Sequence, residues 1–262
     1  MLRLENVSKA FNPGTVNETQ ALDKLNLFLS RGEFVTVIGG NGSGKSTMLN
    51  AVAGVFPVDS GKIIVDDSDV TGLPDFKRAN YLGRVFQDPM LGSASNMTIE
   101  ENLALAIRRG TRRGLGRGVR KSERSQYKEA LSMLDLGLED RLTAKVGLLS
   151  GGQRQALTLL MATIKRPQLL LLDEHTAALD PKTAAKVSEL SEMLVRRDTL
   201  TTLMVTHNMK DAIRYGDRLI MMDGGQIVFE AAGEEKRSLT VKDIIEKFST
   251  VRAAEFGTSL LS

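Results

Sequence analysis

Apolar and polar positions along this chain follow two rhythms that trade places from one end to the other. Leu25, Leu27 and Leu29 interleave with Asn26, Phe28 and Ser30, the period of two that predicts a strand. Beyond the Arg31-Gly32 turn, the unbroken run Phe34-Val35-Thr36-Val37-Ile38 predicts a second, buried strand, joined to the first as a hairpin. The turn Asp59-Ser60-Gly61 introduces another strand at Lys62 to Val65, and Tyr81 to Phe86 forms one more, ending at Gln87-Asp88-Pro89. Met1 to Val7 reads as an edge strand.

From Thr98 to about Leu142 the rhythm changes. Thr98 and Glu101 have the spacing of a capping box, and Ala130, Leu131, Leu134 and Leu138 recur at helical intervals. This stretch is predicted to be a helical subdomain, 98–142, inserted between two parts of a strand-bearing core. Strands then return. Leu169-Leu170-Leu171-Leu172 is short and wholly apolar, as the middle of a parallel sheet requires. Asp180-Pro181 predicts the N-cap and first position of a helix running to about Arg197. Leu203 to Val205 is the next strand, and Met209 to Tyr215 a helix closed by Gly216. Leu219 to Met222 and Gln226 to Phe229 form a hairpin around Gly224-Gly225, and Thr240 to Phe248 offers one last helix.

With 262 residues and 42% hydrophobic content, the chain suits one large α/β domain, or a core with a smaller appended subdomain, rather than two independent domains. The absence of cysteine removes disulfides and thiolate metal sites, which fits a reducing cytoplasm. No apolar stretch approaches the ~20 residues of a membrane helix, and the first residues lack a signal-like run. Any membrane role is therefore expected to pass through a partner. A net charge of +3 argues against coating nucleic acid. The charge is concentrated between Arg108 and Lys121, where Arg109, Arg112, Arg113, Arg117 and Arg120 alternate with glycines and no acid intervenes. A solvated loop, an anionic lipid surface and a partner protein all suit this segment, while the lack of interleaved aromatics counts against RNA.

The strongest chemical signal follows the Phe34–Ile38 run. Gly39-Gly40-Asn41-Gly42-Ser43-Gly44-Lys45-Ser46-Thr47 fits G-x-x-x-x-G-K-[ST] and precedes a helix-like stretch, Met48 to Ala53. Glycines let several backbone N–H groups converge on one anion, and the following helix adds its positive end. Lys45 is placed for the outer phosphates and Ser46 for Mg²⁺. ATP or GTP binding is predicted. A second anion-binding helix start appears at Leu149-Ser150-Gly151-Gly152-Gln153, and Leu169–Leu172 leads directly into Asp173-Glu174.

These motifs, in the order Phe11, phosphate loop, Gln87, Ser150 signature, Asp173-Glu174, Ala178-Leu179-Asp180 and His207, resemble the ATPase subunits of ATP-binding-cassette transporters over nearly the whole chain. The resemblance implies an α/β fold, a P-loop NTPase core with an antiparallel β subdomain and an inserted helical subdomain. Core segments 1–97 and 143–248 would flank the helical insertion, with 249–262 as a tail. It further implies ATP and Mg²⁺ as cofactors, with Phe11 stacking on adenine, and Ser46, Gln87 and Asp173 at the metal. Glu174 would be the base that activates water, Gln87 and His207 its catalytic companions. Ser150, Gly151, Gly152 and Gln153 would close over ATP held by a second subunit, with Asp180 signalling across that homodimer. His175 departs from the family's usual proline, which suggests a packing role or an influence on the neighbouring carboxylate.

Implied partners are integral membrane permease subunits and, through them, an extracytoplasmic substrate-binding protein, with no nucleic acid. The ATPase would lie in the cytoplasm on the inner face of the membrane and energise import of a small solute such as an amino acid. An exporter ATPase, a soluble repair or translation ATPase, and a non-catalytic ATP-gated regulator remain as alternatives. The long coiled coil, zinc cysteines or tandem cassettes of the second are absent from the sequence, and intact Glu174 and His207 weigh against the third.

Overall fold

The computed structural model describes residues 1–111 and 118–259, with side chains through residue 250. In chain order its elements are β1 (Leu2–Phe11), β2 (Thr19–Leu29), β3 (Phe34–Gly39), α1 (Lys45–Ala53), β4 (Ser60–Val65), β5 (Ser68–Asp69), α2 (Asp75–Arg78) and β6 (Leu82–Val85). Next come α3 (Ile99–Ile107), α4 (Arg124–Ser132), α5 (Gly151–Thr163), β7 (Leu169–Asp173), α6 (Pro181–Asp198), β8 (Thr202–Val205) and α7 (Met209–Arg214). The series closes with β9 (Arg218–Asp223), β10 (Gln226–Ala232), α8 (Gly233–Ser238) and α9 (Val241–Ser259). Among the described residues no helix is long and apolar enough to cross a membrane.

Two sheets organise these elements. One is antiparallel, in the order β2-β1-β4-β5; the other runs β10-β9-β3-β8-β7-β6 and is parallel except for the β9–β10 hairpin. The larger sheet is covered on both faces, so β7 can be apolar at every position from Leu169 to Leu172 and still obey the strand period. Leu170 and Leu172 pack with Leu103, Tyr127, Leu157 and Leu194 toward α3–α6. Leu169 and Leu171 face Met48, Leu49 and Val52 of α1, in a core shared with Leu2, Leu4 and Leu27 of the smaller sheet.

Two expectations from the sequence fail here. The N-terminal strand is not an edge, since β1 pairs with β2 on one side and β4 on the other. Buried Leu2, Leu4 and Val7 suit that interior place, and the edges fall to β2 and the two-residue β5. Nor do β2 and β3 form a hairpin. At Ser30 to Glu33 the chain leaves one sheet for the other, with the Ser30 N–H donating to the Glu33 carboxylate at 2.8 Å. Because β3 is buried from Phe34 through Ile38, it needs strands on both sides and layers on both faces, and it finds β8 and β9.

In the basic segment, Arg112, Arg113 and Arg117 lie outside the described residues. Arg108 and Arg109 are not the free cations the sequence suggested. Arg108 donates to both oxygens of Glu123 at 2.7 and 2.9 Å, and Arg109 reaches the Ala162 carbonyl at 3.3 Å. The acid that neutralises Arg108 stands just past the segment.

Candidate active site

All the candidate catalytic side chains stand beyond the carboxyl ends of parallel strands, where open α/β sheets place their ligands. The phosphate loop follows β3, Gln87 follows β6, Asp173 and Glu174 end β7, and Thr206-His207 follows β8. The phosphate loop is built on close approach. A Cβ on Gly39 would lie 2.4 Å from the Met222 carbonyl and 2.5 Å from Ser43 Oγ, and one on Gly44, at φ +96°, would lie 2.5 Å from the Ala21 carbonyl. Lys45 is buried, and its ammonium donates to the Gly39 and Gly40 carbonyls at 2.8 Å each and to Ser43 Oγ at 3.2 Å. Burial pushes its pKa below the usual lysine value, against the raising influence of Glu174 and Asp223. Asn41, Gly42 and Ser46 are exposed, and Thr47 is half-buried.

A cavity of about 310 Å³ brings Phe11 together with Asn41 through Thr47, Glu174 and His207. Glu174 and His207 meet within it, Nε2 to Oε1 at 2.5 Å. Glu174 adopts φ +45°, a left-handed conformation rare outside glycine, while its N–H donates to the Val205 carbonyl at 3.0 Å. That bend ends β7 and aims the carboxylate at the phosphate loop. Phe11 is partly exposed and its ring meets Phe56 edge to face, centroids 5.4 Å apart. Nothing in the sequence marked Phe56 as its neighbour.

Asp173 and Gln87 line a different cavity, with Asn50 and Arg84. Among the described residues no three His, Cys, Asp or Glu side chains gather into a metal cage. The available donors are oxygens, the Ser46 hydroxyl and the Asp173 carboxylate, and they fit Mg²⁺, which keeps several waters and takes substrate phosphates. Arg84 bonds to Asp173. The signal for it was a lone charge in the apolar strand Leu82–Val85, since a buried charge needs a partner.

Ser150, Gly151, Gly152 and Gln153 line neither cavity. Ser150 caps α5: its hydroxyl accepts from the Gln153 N–H at 3.3 Å, and the Gln153 side chain returns to the Ser150 N–H at 3.2 Å. Ser150 and Gly151 are exposed, and this helix start lies outside its own chain's phosphate-loop cavity. Asp180 caps α6 by accepting from the Thr183 N–H at 3.1 Å.

His175 is buried on the far side of β7, with Nε2 2.8 Å from Ser191 Oγ, whose hydroxyl donates to the Val187 carbonyl. Because that hydroxyl's proton is already engaged, the imidazole is the donor, from Nε2. Burial lowers its pKa from 6.5 to about 4. Between those values the unfolded chain binds a proton that the folded one does not. Stability is thus complete above 6.5 and declines as pH falls toward 4. We predict that urea unfolding will show the wild type losing about 2 kcal/mol more than a His175→Asn variant between pH 7 and pH 5. Equal losses in the two proteins would remove His175 as the source.

A family model described as "ABC transporter" matches residues 22–177. The tyrosine transport ATP-binding protein of Clostridioides difficile (strain R20291) is 46% identical over 253 residues, 95% of this chain and 98% of that protein. The methionine import ATP-binding protein MetN of Rhizobium johnstonii is 38% identical over 88% of this chain, which spans 60% of that relative's length. Among solved structures, a dimeric ATP-binding cassette in a post-hydrolysis state bound to ADP and Pi superposes with TM-score 0.74 at 33% identity, covering 88% of this chain and 98% of the other. The ADP conformation of another transporter cassette gives 0.76 at 28% identity, covering 95% and 98%.

Proposed function

The chain belongs to the ABC transporter ATP-binding family, and on that premise we propose that it is the ATP-hydrolysing subunit of an importer for an amino-acid-type solute. The observation that carries this reading is the cavity in which the phosphate loop meets the Glu174–His207 pair. Lys45 and the loop's N–H groups would hold the phosphates, and Phe11 would offer its ring to adenine. Ser46 and Asp173, with Gln87 near, would hold Mg²⁺, which supplies charge neutralisation of the phosphates. Glu174 would accept the proton of the attacking water, and His207, bonded to Glu174 Oε1, would orient that carboxylate and reach the γ-phosphate.

The solute class is supported by the tyrosine and methionine transport names of two relatives. A membrane permease is the partner that such a cassette drives, and exposed apolar side chains near Gln87 support a docking face for it. Val55 and Leu91 are exposed and line the Gln87 cavity, and Met90 is exposed beside it. On this reading the subunit sits on the inner face of the membrane, and an extracytoplasmic binding protein delivers solute to the permease. Co-purifying the permease and reconstituting the complex in liposomes tests it. ATP-dependent uptake of an amino acid is the expected result, and a complex that moves amino acids only outward would reject import.

The stacking role given to Phe11 makes a separate prediction. Phe11→Ala should raise the Kd for ATP by about tenfold, the scale of one aromatic contact, while leaving inorganic tripolyphosphate binding unchanged in calorimetry. Equal weakening of both ligands would mean that Phe11 supports the loop rather than the base.

A further inference from the structure

Asp173 does not stand alone at the end of β7. Arg84, on neighbouring β6, donates from Nη2 to Asp173 Oδ2 at 2.8 Å and to Asn50 Oδ1 of α1 at 2.8 Å. Both charged side chains are largely withdrawn from water, at 14% and 17% exposure. The guanidinium carbon lies 4.7 Å over the ring of Phe86, the residue before Gln87. Among the described residues, buried Arg84 Nε finds no hydrogen-bond partner.

For stability alone this is a poor bargain. Desolvating an ion pair often costs as much as its attraction returns, and an orphaned buried donor adds to that cost. The pair's place, at the end of β7 and on the cavity that Gln87 lines, points to positioning. Oδ2 is held by Arg84, whereas Oδ1 accepts no hydrogen bond from the described residues. Through Asn50, the same guanidinium is tied to α1, the helix that begins at Lys45 and Ser46. One cation thus links the two elements that carry the oxygens suited to Mg²⁺.

We propose that Arg84 is a positioning residue for the metal site: it clamps Asp173 through Oδ2, fixes its distance from α1, and leaves Oδ1 for the metal's water shell. This rests on the reading of Ser46 and Asp173 as the Mg²⁺ oxygens. Partners that orient a ligating carboxylate are typically worth 10- to 100-fold in metal affinity.

The test titrates Mn²⁺, as a paramagnetic stand-in for Mg²⁺, into the full chain with ADP bound, counting free ion by electron paramagnetic resonance. Arg84→Met should raise the half-saturating Mn²⁺ concentration by about tenfold. Affinity for ADP in excess EDTA should stay unchanged, and Arg84→Lys should restore most of the metal affinity. Circular dichroism checks folding, and if Arg84→Met does not fold, Asn50→Ala, which frees one end of the clamp, should weaken Mn²⁺ binding by about threefold. Asp173→Asn is the reference. A folded Arg84→Met or Asn50→Ala variant with wild-type Mn²⁺ binding, beside a weakened Asp173→Asn, overturns the role of Arg84 alone. Wild-type Mn²⁺ binding by Asp173→Asn overturns the underlying reading of the site.

Discussion

Replacing Glu174 by Gln is expected to lower steady-state ATP turnover by roughly two to four orders of magnitude, the contribution of a positioned general base, while ATP binding persists. The substitution keeps the side chain's size and an oxygen able to accept from His207 Nε2, which lies 2.5 Å from Glu174 Oε1. It removes the negative charge and with it the capacity to take a proton. The Lys45 cradle and the Arg84–Asp173 pair are formed by other side chains and remain. ATP should therefore be retained unhydrolysed, and subunits that close on it should stay closed. Steady-state ATPase assays and size-exclusion chromatography in Mg-ATP would read both effects. Wild-type hydrolysis by Glu174→Gln would take Glu174 out of the reaction.

What the sequence made legible was local. The phosphate loop depends on residue types at fixed spacing, and the caps at Thr98 and Asp180 are three-residue relationships that reappear as hydrogen bonds in the structure. Sheet membership was not local. Nothing in β2 or β3 alone says that they part company at Ser30; that follows from β8 and β9, which lie far along the chain and satisfy β3 on both sides. The run Leu169–Leu172 likewise gave its strand but not its two faces, because an all-apolar segment has no polar side to declare the pleat.

The contacts within the candidate site are long-range for the same reason. Glu174 and His207 meet because β7 and β8 pair in parallel, with Asp173 opposite Val205. Arg84 reaches Asp173 across the β6–β7 pairing, where Arg84 stands opposite Leu171. His175 was visible as a departure from the family pattern, and its packing against Ser191 required α6 to be placed. Arg108 looked free because its partner, Glu123, lies outside the cationic segment.

Two proteins that are each expected to be inactive should recover activity on mixing. Lys45→Ala spoils the phosphate loop, and Ser150→Arg blocks the exposed start of α5, which lies outside its own chain's phosphate cavity. If a site is completed by the Ser150 loop of a second subunit, each homodimer of variants has two broken sites. A mixed dimer concentrates both lesions in one site and leaves the other intact. Random pairing at equal amounts makes about half of the dimers mixed, so independent sites would restore about a quarter of wild-type turnover, as expected for a symmetric interface with two equivalent sites. Turnover per subunit should also climb with protein concentration before saturating. Sites complete within one chain predict the opposite on both counts: no recovery on mixing, and turnover per subunit independent of dilution.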